Sequence, residues 1–239
     1  MVQIEERLLP KGEQGNRPGT PLSPIGLVIH TTANPGADAE VHYRYWSSGY
    51  RASSAHIVVD WGRALTLIPW QPGRAEVAWH AGPQANKRFL GLEICESNDP
   101  VQAQRAMENA AEVAAQVLRA WGWGTERLIA HAQVAWWLGG TDHQDPLPYL
   151  ARWNRTWADF VAAVDRALRG LPAVAPAPQP AKPQPVAVLD AGGRRLAEGW
   201  LHDGSTVVRL RDLADGMGLI VDWDPGGPAV TLRWPGRRS

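Results

Sequence analysis

At 239 residues the chain has room for one domain of ordinary size, about 100 to 150 residues, and a smaller second one. Lysine plus arginine equals aspartate plus glutamate at 24 each, so charge gives no case for a polyanionic partner: neither nucleic acid nor an anionic bilayer is expected. The single cysteine, Cys95, excludes an internal disulfide and leaves the core or a metal to hold the fold.

The N-terminus, MVQIEERLLPKGEQGNRPG, places charges and prolines where a secretory signal needs an apolar run, and no stretch is long enough to span a membrane. A chain made in the cytoplasm without a signal peptide or membrane insertion is the expectation. GLVIH (26–30), AHIVVD (55–60), ALTLI (64–68), GLEIC (91–95) and RLIAH (127–131) are short apolar or β-branched runs bounded by turn residues, and are predicted as strands. A helix is predicted around Asp38 to Trp46. Asp99 and Pro100 form an N-cap and first-turn pair for a long helix in which Met107, Ala111, Ala114, Leu118 and Trp121 recur at helical spacing until Gly122. Another carries Trp157, Phe160, Val161, Val164 and Leu168 before Gly170. Strands interleaved with helices predict an α/β domain over residues 1–170, with a mixed central sheet flanked by helices.

Residues 171–185, LPAVAPAPQPAKPQP, nearly alternate proline and alanine and are predicted as an extended, semi-rigid linker. Positions 1–170 hold 16 basic and 17 acidic residues, and positions 186–239 hold 7 of each, so neither flanking piece is basic. Residues 186–239 predict a small α+β module, with VAVLD, STVVRL, LIVDWD and AVTLRW as strands around the helical LRDLADGMG.

Three predicted strands carry a residue that binds metal or moves protons: His30 closes VIH, Glu93 sits in GLEIC, and His131 closes LIAH. Residues at the same end of neighbouring strands converge. Two imidazoles and one further ligand hold Zn²⁺ with a fourth position open. The third ligand must come from the loop after His131, where Asp142, His143 and Asp145 stand. Glu93 lies between Leu92 and Ile94, so it faces the side opposite to both. Trp136 and Trp137 are adjacent and cannot share a direction; one is expected to pack inside and the other to line a groove. For Cys95 a buried apolar role outweighs a thiol nucleophile paired with His80 or His131.

GLVIHTTANPG, ASSAHIVVD, AWHAG, LGLEICES and LIAHAQV followed by DHQDP, in this order, resemble the zinc-dependent N-acetylmuramoyl-L-alanine amidases, a family shared by phage endolysins, bacterial autolysins and peptidoglycan recognition proteins. The resemblance spans residues 7 to 168 or so. It implies that His30, His131 and Asp145 bind Zn²⁺, with Asp145 standing before a proline as the family's third ligand does, and it leaves Asp142 as loop scaffold. Hydrolysis of the amide between the lactyl group of N-acetylmuramic acid and L-alanine of the stem peptide is implied, with bacterial peptidoglycan as partner. Glu93 matches the glutamate that takes the proton from water and passes it to the leaving amine. His143 stands where many relatives carry a lysine that stabilises the oxyanion, a departure that leaves His143 open as a catalytic donor or as a ligand in place of Asp145. Asn34, His56, Trp79 and His80 belong to the matched motifs and are expected to bind substrate.

Residues 186–234 resemble the small module named after the N-terminal domain of copper amine oxidases, and imply a wall-targeting or oligomerising role without copper. An endolysin or autolysin acting on the cell wall after holin-type release or lysis is the leading expectation. A cytosolic muropeptide-recycling amidase and a non-catalytic peptidoglycan-binding protein stay open as alternatives.

Overall fold

The computed structural model describes residues 2–12, 15–171, 184–202, 205–208, 210–223 and 230–233. The chain divides into two compact units, residues 1–175 and 176–239. Most of the predicted linker, residues 172–183, lies outside the described residues.

The first unit is built on a six-stranded sheet of β1 (Ile4–Glu6), β2 (Leu27–Thr31), β3 (Ile57–Val59), β4 (Ala64–Thr66), β5 (Leu90–Ile94) and β6 (Leu128–Ala130) in the order β1-β4-β3-β5-β2-β6. All pairings are parallel except β3 with β4, which a tight turn joins. Each predicted strand of this unit is present, and the sheet is mixed and flanked by helices as expected. The missed strand β1 has one apolar residue in its three and sits at the sheet edge, where no alternation is needed to bury a face.

Alternation along the central strands sorts side chains onto two faces. Leu27, Ile29, Ile57, Val59, Leu90, Leu92 and Ile94 point to one side and form the main core with α3 (Pro100–Trp121) and α6 (Trp157–Leu168). Helix α3 starts where the Asp99 side chain accepts the Gln102 N–H and ends at Gly122, in the left-handed region at φ 68°. Its buried face is largely alanine, which lets the helix lie close to the sheet. Helix α6 starts with a reciprocal Thr156–Asp159 cap. On the opposite face, Val28, His30, Val58, Gly91 and Glu93 alternate with those core residues. There α1 (Ala39–Ser47), α2 (Pro83–Asn86) and α4 (His131–Leu138) leave room for a site, while α5 (Leu147–Arg152) packs Tyr149 and Leu150 into the main core.

Two expectations are corrected here. His131 does not close a strand: β6 ends at Ala130 and His131 opens α4, with the Gln133 side chain accepting the Ala130 N–H at 2.9 Å. A strand-to-helix switch without a Ser, Thr, Asp or Asn cap gives no signal in sequence. Neither indole of the Trp136–Trp137 pair packs inside; they are 90% and 55% exposed, and the Trp137 ring stands edge-on to that of Phe89.

Asp60, at the β3–β4 turn, is 3% exposed and accepts the N–H groups of Gly62, Arg63 and Ala39 at 2.6, 2.7 and 2.9 Å. It therefore caps α1 and closes the turn together. Asp60→Ala strands three donors, and is expected to lower unfolding stability by about 3 to 5 kcal/mol in urea denaturation, since each buried unpaired donor costs about 1–3 kcal/mol.

In the second unit, β7 (Gln184–Leu189), β8 (Arg195–His202) and β9 (Ser205–Val208) form an antiparallel meander, and β10 (Ile220–Trp223) pairs antiparallel with β11 (Val230–Arg233). Helix α7 (Leu210–Met217) buries Ala214. The predicted strands and helix are found, apart from their ends at residues 209, 224, 229 and 234, which lie outside the described residues. Strand β8 was not predicted, since RLAEGWLH interrupts its apolar positions with glycine and charge.

Candidate metal centre and active site

His30 stands at the end of β2, 1% exposed, and is paired in register with Glu93 on β5. His131, 3% exposed, is delivered by β6, which pairs with β2 on its other side. Asp145 comes from the loop between α4 and α5; its carbonyl accepts the Ala132 N–H at 3.0 Å and its Oδ2 accepts the Thr31 N–H at 3.3 Å. These ties bring the loop onto the strand end. His30 Nδ1 lies 2.9 Å from His131 Nδ1 and 3.2 Å from Asp145 Oδ2, and His131 Nδ1 lies 3.0 Å from Asp145 Oδ1. The sequence positions span more than a hundred residues; the structure makes them one cluster.

The cluster fits a small divalent cation. Three ligand atoms lie within 4.8 Å of one another. Their separations approach the edge of about 3.3 Å expected for a tetrahedral ion with bonds of about 2.0–2.1 Å, and two imidazoles with one carboxylate suit zinc. The other ring nitrogens turn outward, His30 Nε2 to His80 Nδ1 at 2.9 Å and His131 Nε2 to Thr141 Oγ1 at 3.2 Å. Such outer partners orient ligands. Thr141 carried no sequence signal beyond its place just before DHQDP.

Glu93 lies beside this cluster. Its Oε2 is buried and has no hydrogen-bond partner. Burial, then the charges of Asp145 and Glu96, push its carboxyl up to about 8. A cation held by the three donors opposes all three causes and favours the carboxylate. Burial works against ionisation of Asp145, but its close contacts with the His131 and His30 imidazoles outweigh it, so its carboxyl stays well below the usual range.

A cavity of about 560 Å³ reaches the cluster at His131 and is lined among others by Tyr50, Trp79, His80, Lys87 and His143. Trp79 and His80, both expected to bind substrate, thus reach the cavity. His143 stands at its mouth, 66% exposed, with Nδ1 3.4 Å from Asp145 Oδ1 and its ring against that of His131. Asp142 is exposed and only its carbonyl is engaged, by Gln144. Tyr50 and Lys87 were missed by the sequence reading, because loop and short-helix positions show no periodicity.

Two other residues expected to bind substrate lie off the cavity wall. His56 is fully buried, its Nδ1 accepting the Gly91 N–H at 2.9 Å and its Nε2 donating to the Glu76 carbonyl at 2.8 Å, so it has neither surface nor free nitrogen. Asn34 is exposed on the loop after β2 and does not line the cavity. Cys95 is buried among Ala39, Val58 and Leu65, and burial pushes its thiol well up, against a nucleophilic role.

The buried histidines set an acid limit. Burial lowers His30 and His56 to about 4, and burial with the neighbouring His30 and His56 rings holds His80 well below its usual value. Between pH 4 and 6.5 the unfolded chain binds more protons at these sites, so stability falls as pH falls. Glu93 has the opposite sign, binding its proton more tightly when folded, so stability also falls as pH rises from 4.5 to 8. Three histidines outweigh one carboxyl below 6.5. Chelator-treated protein is therefore expected to be most stable near pH 6.5 and to lose stability steadily from there to pH 5, read from urea midpoints.

Comparison with known proteins agrees with this geometry. Over 145 residues the chain is 31% identical to a bifunctional autolysin of Staphylococcus epidermidis, covering 57% of this chain and 11% of that protein. It is 29% identical over 181 residues to protein Ami of Listeria monocytogenes, covering 71% of this chain and 19% of that one. The chain thus spans between a tenth and a fifth of these relatives. A crystal structure of the Staphylococcus aureus hydrolase AmiA in complex with its ligand superposes with a TM-score of 0.61 at 26% identity, covering 70% of this chain and 83% of that one. The catalytic domain of XlyA superposes with a TM-score of 0.57 at 27% identity, covering 68% of this chain and 99% of that one. A family described as N-acetylmuramoyl-L-alanine amidase matches residues 20–148, more than half of the chain and the whole of the His30–His131–Asp145 cluster, and the chain belongs to that family.

Proposed function

We propose that the first unit is a zinc-dependent N-acetylmuramoyl-L-alanine amidase that hydrolyses bacterial peptidoglycan at the bond between the lactyl group and L-alanine. The observation that carries this is a carboxylate with a buried, unpartnered oxygen, Glu93, next to a cluster of three metal-ligand atoms, one of whose residues, His131, lines an open cavity. A binding protein gains nothing from burying an unpaired acid, which costs stability; a hydrolase gains a base.

His30, His131 and Asp145 would hold the zinc ion. When bound, the ion supplies positive charge that polarises the scissile carbonyl and makes water a better nucleophile. Glu93 takes the proton of the attacking water and delivers it to the leaving amine of L-alanine, a transfer that needs a carboxylate not already committed to another donor. His143, at the mouth of the cavity, donates to the oxygen that gains charge. Trp79 and the aromatic edge of Tyr50, whose rings meet at 5.5 Å, form an apolar wall for the peptide.

The reading extends to the setting. An autolysin or endolysin acting on the cell wall agrees with the relatives named above, and no helix among the described residues is long and apolar enough to cross a membrane. The second unit, resembling the module named after copper amine oxidases, serves as a wall-attachment device that raises local enzyme concentration on an insoluble substrate. Metal analysis of purified protein is expected to give one zinc per chain. Zinc-loaded protein is expected to release free amino groups from purified walls; a metal-free chain that binds walls without releasing amines would falsify the hydrolase reading.

A further inference from the structure

His80 and His56 lie beneath and behind the metal-type cluster, and their hydrogen bonds have direction. A backbone carbonyl only accepts and a backbone amide only donates. His80 Nε2 is 3.1 Å from the Phe89 carbonyl oxygen, so it carries a hydrogen there. Nδ1 of the neutral ring is then an acceptor, and the atom facing it at 2.9 Å is His30 Nε2. His30 therefore donates through Nε2 and turns a bare Nδ1 toward His131 and Asp145.

The packing behind His80 holds the ring in place. A Cβ at Gly91 would meet His80 Cγ at 2.6 Å, so only glycine lets the imidazole lie on β5. The Gly91 N–H is itself fixed on His56 Nδ1, and the His56 ring stands edge-on to His80 at 5.7 Å. His131 has no such lock. Its Nε2 meets the Thr141 hydroxyl, which donates or accepts and so serves either tautomer.

We infer that His80 is a positioning residue that presets the His30 tautomer, so that His30 faces the cluster as an acceptor before any cation arrives. This rests on the zinc reading above. It assigns His80, placed at the cavity wall, to metal retention, with Gly91 and His56 as its support.

The test uses the full chain and zinc alone, with affinity measured by competition against a chromophoric chelator at pH 7.5. His80→Phe removes both ring nitrogens and is expected to raise the zinc dissociation constant 10- to 100-fold, the usual cost of losing an outer partner. His80→Gln, whose amide accepts through Oε1 and donates through Nε2, is expected to recover most of that loss. Thr141→Val is expected to cost less than His80→Phe. Nitrogen-15 spectra of the zinc-loaded chain should place the His80 hydrogen on Nε2. If His80→Phe fails to fold by circular dichroism, Gly91→Ala, whose methyl displaces the ring, takes its place with the same expected loss. Zinc binding in these variants as tight as in the wild type, or a His80 hydrogen on Nδ1, overturns the inference and leaves the hydrolase reading standing; a wild-type chain that takes up no zinc overturns both.

Discussion

Glu93→Gln is expected to lower the rate of wall hydrolysis by about 10²- to 10⁴-fold, the range contributed by a positioned general base, while zinc content stays at the wild-type level. Glutamine keeps the shape of the side chain on β5 and its place in register with His30. It removes only the ability to take a proton. Because Glu93 Oε2 has no partner, no hydrogen bond is broken by the change, and the fold has nothing to lose. The chelator-treated variant should even lose the decline in stability between pH 6.5 and 8, since that decline comes from the carboxyl pushed up to about 8 by burial, Asp145 and Glu96. A fall in kcat with KM and zinc content unchanged identifies a group used in the chemical step. Loss of zinc in step with activity would instead make Glu93 a ligand.

Asp145→Ala is expected to act on the other half of the site. Its two carboxylate oxygens lie 3.0 and 3.2 Å from the Nδ1 atoms of His131 and His30, and Oδ2 also accepts the Thr31 N–H. Removing the carboxylate takes away one of the cluster's ligands and its only formal negative charge. Breaking a buried charged contact from one side costs about 3 to 5 kcal/mol, which corresponds to a zinc dissociation constant raised by about 10²- to 4 × 10³-fold. Activity should return in part at high added zinc. Asp142→Ala is the matched control, three residues away and exposed, and should bind zinc like the wild type. Tight zinc binding by Asp145→Ala would shift the third ligand to His143, whose Nδ1 is 3.4 Å from Asp145 Oδ1.

Much of the site is legible in the sequence, for physical reasons that vary by residue. His30 and Glu93 sit in short apolar strands, where alternation alone fixes which face a side chain takes. Those strands are central, so the face opposite the alanine-rich α3 had to hold either a core or a site. Asp145 is different. Nothing in its spacing separates it from Asp142 or His143, and the family motif DHQDP alone singled it out. His56 shows the limit of motif matching: its strand flank was recognised, but depth below the cavity depends on how Glu76 and Gly91 approach it, and no local pattern encodes that. The exposure of both Trp136 and Trp137 was equally hidden, since HAQVAWWL follows a strand without a capping residue and the helix that points both indoles outward starts unannounced.

Analysis of end groups released from purified cell walls tests the central claim most directly. Zinc-loaded protein is expected to generate new L-alanine amino termini in step with loss of wall turbidity, with no new reducing sugar ends, and to stop when zinc is removed. Reducing ends without amino termini, or amino termini from residues other than L-alanine, would contradict the assignment of His30, His131, Asp145 and Glu93 to hydrolysis of the muramoyl amide.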